Sequence, residues 1–143
     1  MMSFYDYFVG KWKLTNLDNS EEGSLVITLS ACGTAHLAEY ALGRTKRTEL
    51  WGYDPVSKTW CATGFGQDGE CFTQTMIGAP DKEEPEAGDA WIDEHRGMLP
   101  DGTPTSADIR LEIESPDTYL AIVPQIKAGE LSFPGLKMRC SRV

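Results

Sequence analysis

Near the start of the chain, Phe8-Val9-Gly10-Lys11-Trp12-Lys13-Leu14 reads as the first strand of a sheet. Lys11 and Lys13 alternate with Trp12 and Leu14, so an extended segment here has one polar and one apolar face. Outward from it the chain continues in kind. β-branched and aromatic runs bounded by Gly, Pro, Asp and Asn recur about every 8 to 12 residues, with no helical periodicity, repeat or low-complexity tract. Ten strands are expected near residues 10–17, 24–31, 34–42, 45–53, 58–66, 71–78, 89–96, 106–114, 117–123 and 135–142. A short helix from Ser3 to Phe8 would pack Phe4, Tyr7 and Phe8 against one end.

Turn chemistry sets several registers. Gly43-Arg44 supplies a two-residue connection with glycine at positive φ, which places Tyr40 opposite Arg47, Ala38 opposite Glu49 and His36 opposite Trp51. Asp54-Pro55 opens a turn that pairs Tyr53 with Trp60. Gly66-Gln67-Asp68-Gly69 closes the next hairpin, in a register that sets Cys61 opposite Gln74 and Cys71 opposite Gly64, on opposite faces. Ser115-Pro116-Asp117 joins two strands whose Ile109, Leu111 and Ile113 are expected to share a face with Leu120 and Ile122. A run of antiparallel hairpins leaves two exposed edges unless the sheet rolls up. The expected fold is therefore all-β, one domain over residues 1–143 forming an antiparallel up-and-down closed β-barrel of about eight to ten strands. Two packed sheets are the alternative.

Gly10-x-Trp12 at the head of an alternating strand resembles the calycin superfamily, the lipocalins and fatty-acid-binding proteins. With Gly52-Tyr53-Asp54 in mid-chain, it is more similar to an uncharacterised bacterial lipocalin-like barrel family. The resemblance implies that Trp12 lies across the barrel floor under an arginine of the last strand, Arg142 or alternatively Arg139. It also implies an inward aromatic ladder at the Gly-Tyr-Asp hairpin, matched by Tyr53 and Trp60. The chain departs from its relatives in three ways. Only Asp18 to Ser24 separates the first two strands, too little for the helical lid of fatty-acid-binding proteins. Met138-Arg139-Cys140-Ser141-Arg142 lacks their Arg-x-Tyr. Gly64 stands where a second tryptophan is common, which would enlarge the interior.

With 13 basic against 22 acidic residues the net charge is −9, which repels phosphate backbones and anionic membrane surfaces. Neither a nucleic-acid nor a membrane partner is expected. Much of the acidic excess sits in a solvated loop, Asp81-Lys82-Glu83-Glu84-Pro85-Glu86. The start, Met1 to Tyr7, has no basic flank and long apolar run, and no stretch reaches about 18 apolar residues, so neither signal peptide nor span is read and a cytoplasmic protein is expected. Cys32, Cys61, Cys71 and Cys140 are scattered without zinc-ligand spacing and are expected to be reduced and partly buried. No phosphate loop, dinucleotide fingerprint or nucleophile elbow appears. No metal and no cofactor are expected.

In the middle hairpins one face collects His36, Tyr40, Arg47, Glu49, Trp51, Tyr53, Trp60, Ala62 and Thr73. The other collects Leu37, Leu50, Cys61, Phe65, Phe72 and Met76. Either could be the interior. Aromatic walls with a few convergent polar groups suit a small-molecule pocket, which favours the first. Trp91, Asp93 and His95 share a strand face, and a histidine near carboxylates can serve as a general base, although two histidines cannot make a multi-histidine site. The candidate ligand-binding residues are thus His36, Tyr40, Glu49, Trp51, Trp60, Trp91 and His95. The expected function is binding of a small, largely apolar, aromatic ligand without catalysis. The alternatives are an acid/base enzyme using His95 with Glu49 or Asp93, and a filled barrel that meets a partner or a second copy as a homodimer.

Overall fold

The computed structural model describes residues 4–143. Ten antiparallel strands follow a short 3-10 helix, Phe4–Phe8: β1 (Gly10–Asn16), β2 (Glu22–Leu29), β3 (His36–Leu42), β4 (Thr45–Asp54), β5 (Thr59–Gly66), β6 (Cys71–Ile77), β7 (Ala90–Met98), β8 (Pro104–Ser115), β9 (Thr118–Ala128) and β10 (Leu131–Arg142). Each strand pairs with its sequence neighbour and β1 closes on β10, giving an up-and-down closed barrel. No sheet edge is left open, which is the gain that closure offers a chain of hairpins. Among the described residues no helix is long and apolar enough to cross a membrane. Ser3, the expected start of the N-terminal helix, lies outside the described residues.

The N-terminal helix plugs one end, burying Phe4, Tyr5 and Phe8. Trp12, 1 % exposed, sits on this floor and donates its indole N–H to the Phe8 carbonyl at 2.8 Å. The Arg142 guanidinium covers the indole, its carbon 4.2 Å from the ring centroid. Gly10 is required by this arrangement: its φ is +133°, and a Cβ there would stand 3.1 Å from Arg142 Nη1. Arg139, the alternative cover, points outward to Glu114 at 3.1 Å.

The registers across β3, β4 and β5 follow turn chemistry, with Tyr40 opposite Arg47, His36 opposite Trp51 and Tyr53 opposite Trp60. Gly43 takes φ +58° as its turn demands. Two other registers differ from expectation by one residue. Between β5 and β6, the Gly66 amide bonds the Glu70 carbonyl at 2.9 Å and Gly69 adopts φ +86°, so the loop holds three residues, not two. Ala62 therefore pairs with Gln74 and Gly64 with Phe72. A one-residue slip moves every side chain to the other face. Phe72, Gln74 and Met76 are buried inside, while Thr73 is exposed. Cys61 and Cys71 consequently share the outer face, as free thiols opposite Thr75 and Phe65. Cys32 and Cys71 are exposed, contrary to the expectation of partial burial.

The second difference is a bulge between Ile113 and Ser115 in the β8–β9 pairing. It pairs Ile113 with Tyr119 and Leu111 with Ala121, and sets Leu120 and Ile122 against Glu112 and Arg110. The expected patch of Ile109, Leu111 and Ile113 with Leu120 and Ile122 is thus split between the two faces. β9 and β10 also run further than expected, meeting at Gly129, φ +59°.

Candidate functional site

The interior is only partly filled. A cavity of about 520 Å³ runs from the Tyr5 and Phe8 plug to the opposite end, where exposed Asp68, Lys127 and Phe133 belong to its lining. Its floor and lower wall are aromatic, with Tyr5, Phe8, Trp51 and Tyr119 meeting one another edge-on or tilted at 4.9 to 6.3 Å. Leu111, Ala121, Val123, Leu136 and Met138 line the side built by β8, β9 and β10. The period-two pattern accounts for these residues strand by strand, and the shifts at Ala107/Arg110 and Ile113/Ser115 set which residues of β8 and β9 meet across the wall.

The opposite side, from β3, β4, β6 and β7, is polar at its centre. Arg47 lies in the wall with its guanidinium carbon 4.5 Å from the Tyr40 ring centroid and 5.5 Å from that of Phe72. Behind it Glu49, 1 % exposed, approaches Arg47 Nε at 3.1 Å, too poorly aligned for a hydrogen bond. Burial works against the Arg47 charge, but Glu49 and Tyr40 outweigh it and raise the guanidinium above its ordinary range. Asp93 lines the same wall. Burial first, then the neighbouring Glu49, push its carboxyl up to about 7, against weaker opposition from Trp91 and Arg47. Both Glu49 oxygens and Asp93 Oδ1 are buried without a hydrogen-bond partner.

Towards the mouth a second polar group is fully engaged. Gln74 Nε2 donates to His95 Nδ1 at 3.2 Å, His95 Nε2 donates to Glu70 Oε2 at 3.1 Å, and Thr105 Oγ1 donates to the same Glu70 oxygen. The His95 ring stacks on Phe72 at 4.5 Å. Burial disfavours the Glu70 charge, yet the bonds from His95 and Thr105 prevail and hold its carboxyl below the ordinary value. Because both ring nitrogens are occupied, His95 has no free nitrogen with which to act as a base. No group of three His, Cys, Asp or Glu able to hold a metal occurs among the described residues.

No family model matches this chain, and no curated protein matches it.

All seven sequence-predicted residues face inward, but only Tyr40, Trp51 and His95 line the cavity. His36 is 1 % exposed and its Nε2 meets Asp6 Oδ1 at 2.8 Å, tying the N-terminal helix to β3. Trp60 packs behind Tyr5 at 4.5 Å, and Trp91 meets Phe4 edge-on at 5.0 Å, so both support the plug rather than the cavity. Glu49 stands behind Arg47. Gly64 does not enlarge the interior, because a Cβ there would meet Phe72 Cζ at 2.6 Å and the Thr48 carbonyl at 2.5 Å. The Phe72 ring occupies the space expected to be open. Tyr5, Gln74 and Glu70 were not expected at the site. Gln74 was hidden by the register slip, and Tyr5 by helix spacing that did not single it out. Arg47 and Asp93 were legible on the inner face and are the polar centre of the wall.

Proposed function

We propose that this protein binds a small, largely apolar ligand, with an aromatic group, in the barrel interior. The observation that carries the reading is the cavity of about 520 Å³, which reaches the surface at one end and has apolar walls with a few convergent polar groups. Small-molecule pockets have this character and size. A calycin-like assignment is part of the same reading and is supported by the Gly10-x-Trp12 strand, with the indole on the floor beneath Arg142. Such barrels host several functions, so the fold argues for a container and the cavity wall argues for what it contains.

Trp51 is the tryptophan in the wall and reports occupancy. A naphthalene-sized aromatic is expected to quench tryptophan fluorescence saturably, and Trp51→Leu to weaken binding while leaving the far-ultraviolet spectrum unchanged. Non-saturable quenching, equal in both proteins, would contradict the reading. A second reading, acid/base catalysis in the same cavity, has Asp93 in its favour, since a carboxyl titrating near 7 is matched to proton transfer at neutral pH. It requires a turnover that Asp93→Asn abolishes.

A further inference from the structure

We infer that the ligand is a cation, an organic amine on an apolar or aromatic body, held by the Asp93 carboxylate. This deepens the cavity reading and rests on it. The groups that face Asp93 define the local balance. Glu49 and Arg47 approach from β4, Tyr40 from β3 and Tyr5 from the plug, while Trp91 shares its strand face and Met76 and Ile109 flank it on β6 and β8. Arg47 is the single cation in this group, and Glu49 already faces it at 3.1 Å. Glu70, further along the wall, adds another acid.

An anionic ligand would therefore meet an arginine that is already paired, in a wall that also carries Asp93 and Glu70. Meanwhile Asp93 Oδ1, in the cavity wall, is a buried acceptor without a hydrogen bond, and Trp91 Nε1 on the same strand face is likewise unpaired. Unpaired buried acceptors are costly, and an ammonium group carries the donors they lack. The aromatic faces of Tyr5, Tyr40, Trp51 and Tyr119 around the same space add attraction for a cation and burial for its apolar body.

Proton balance follows. With Asp93 titrating at about 7, the empty cavity holds a proton on Asp93 much of the time at neutral pH. When the ammonium enters, that proton leaves to solvent: the wall gains one negative charge, and the summed charge of wall and ligand is unchanged.

The test uses three probes of one shape on the whole chain: 2-(1-naphthyl)ethylamine, 2-(1-naphthyl)ethanol and 1-naphthylacetate, titrated calorimetrically at pH 6, 7 and 8. The amine is expected to bind about tenfold more tightly than the alcohol at pH 8, with the acetate weakest, and its affinity is expected to rise roughly tenfold from pH 6 to pH 8 while the alcohol's stays level. At pH 7 the amine's heat should vary with buffer ionisation enthalpy, reporting proton release. Asp93→Asn should remove both the preference and the pH dependence. Equal affinity for amine and alcohol, or tightest binding of the acetate, would overturn the amine inference and leave the cavity reading standing. Failure of all three probes to bind would overturn both.

Discussion

The Arg142 guanidinium lies 4.2 Å from the Trp12 ring centroid while donating to the Tyr7 carbonyl at 2.7 Å and the Val9 carbonyl at 2.9 Å. One side chain of the last strand thus seals the indole of the first and pins the end of the N-terminal helix. It also donates to Pro116 O at 3.2 Å and pairs with Asp117, so the β8–β9 turn is drawn to the same point. The floor is a junction of three segments distant in sequence: residues 7–12, the 116–117 turn and Arg142. Trp12→Ala is expected to cost about 3 to 5 kcal/mol, as for other buried aromatics. Arg142→Ala is expected to cost about 2 to 4 kcal/mol through carbonyls left unpaired, more than a rim ion pair would. Chemical denaturation of both variants checks this, and a loss below about 1 kcal/mol for Trp12→Ala would show a peripheral indole.

Asp93 should make the protein less stable as pH rises. Its folded carboxyl titrates at about 7, well above the unfolded value near 4. Between those values the folded state holds a proton that the unfolded state has lost, so stability falls with pH and levels off above about 7. Asp93→Asn removes the penalty and is expected to stabilise the protein by about 1 to 3 kcal/mol at pH 8, with little gain at pH 4. Thermal melts across that range provide the check. Glu70 contributes in the opposite sense. Its lowered carboxyl gives stability present above the ordinary carboxylate range and lost as pH falls through the folded value.

Gly64 and Phe72 form a complementary pair across β5 and β6, with Gly97 on the far side of Phe72. A Cβ at 64 would meet a backbone carbonyl at 2.5 Å as well as the ring, so no rotamer change at Phe72 alone relieves it. Gly64→Ala is expected to destabilise the protein by about 1 to 3 kcal/mol, the usual cost of overpacking. An unfolding midpoint equal to that of the unmodified protein would contradict this packing.

The four thiols should react in a fixed order. Hydrogen bonds from Ser30 and Thr34 lower exposed Cys32 to about 6, whereas burial pushes Cys140 up to about 12. At pH 7 iodoacetamide is expected to label Cys32 first and Cys140 only on unfolding, since the thiolate is the nucleophile. Peptide mapping of a time course reads the order.

Fold and strand order were legible because the period-two pattern and the turn residues agreed over most of the chain, while the arginine cover for Trp12 was what the resemblance to lipocalin-like barrels implied, with Arg142 named ahead of Arg139. What escaped was set by single residues in loops and bulges. The third residue of the Gln67–Gly69 loop and the bulge near Ser115 each reversed faces over half a hairpin. Their energetics are decided by contacts across the barrel, which no local pattern records. At the site, inward-facing residues were legible, but depth was not. His36, Trp60 and Trp91 look like Trp51 in sequence and differ only in what the N-terminal helix covers.

Whether the barrel holds a small apolar ligand is decided by titrating 1-aminoanthracene into the protein and into Ala107→Trp. Ala107 lines the cavity opposite His95, towards the mouth, where an indole would obstruct entry. A saturable, blue-shifted emission at one probe per chain is expected, lost in Ala107→Trp while both proteins melt alike. Equal emission from both proteins, or none from either, would contradict it.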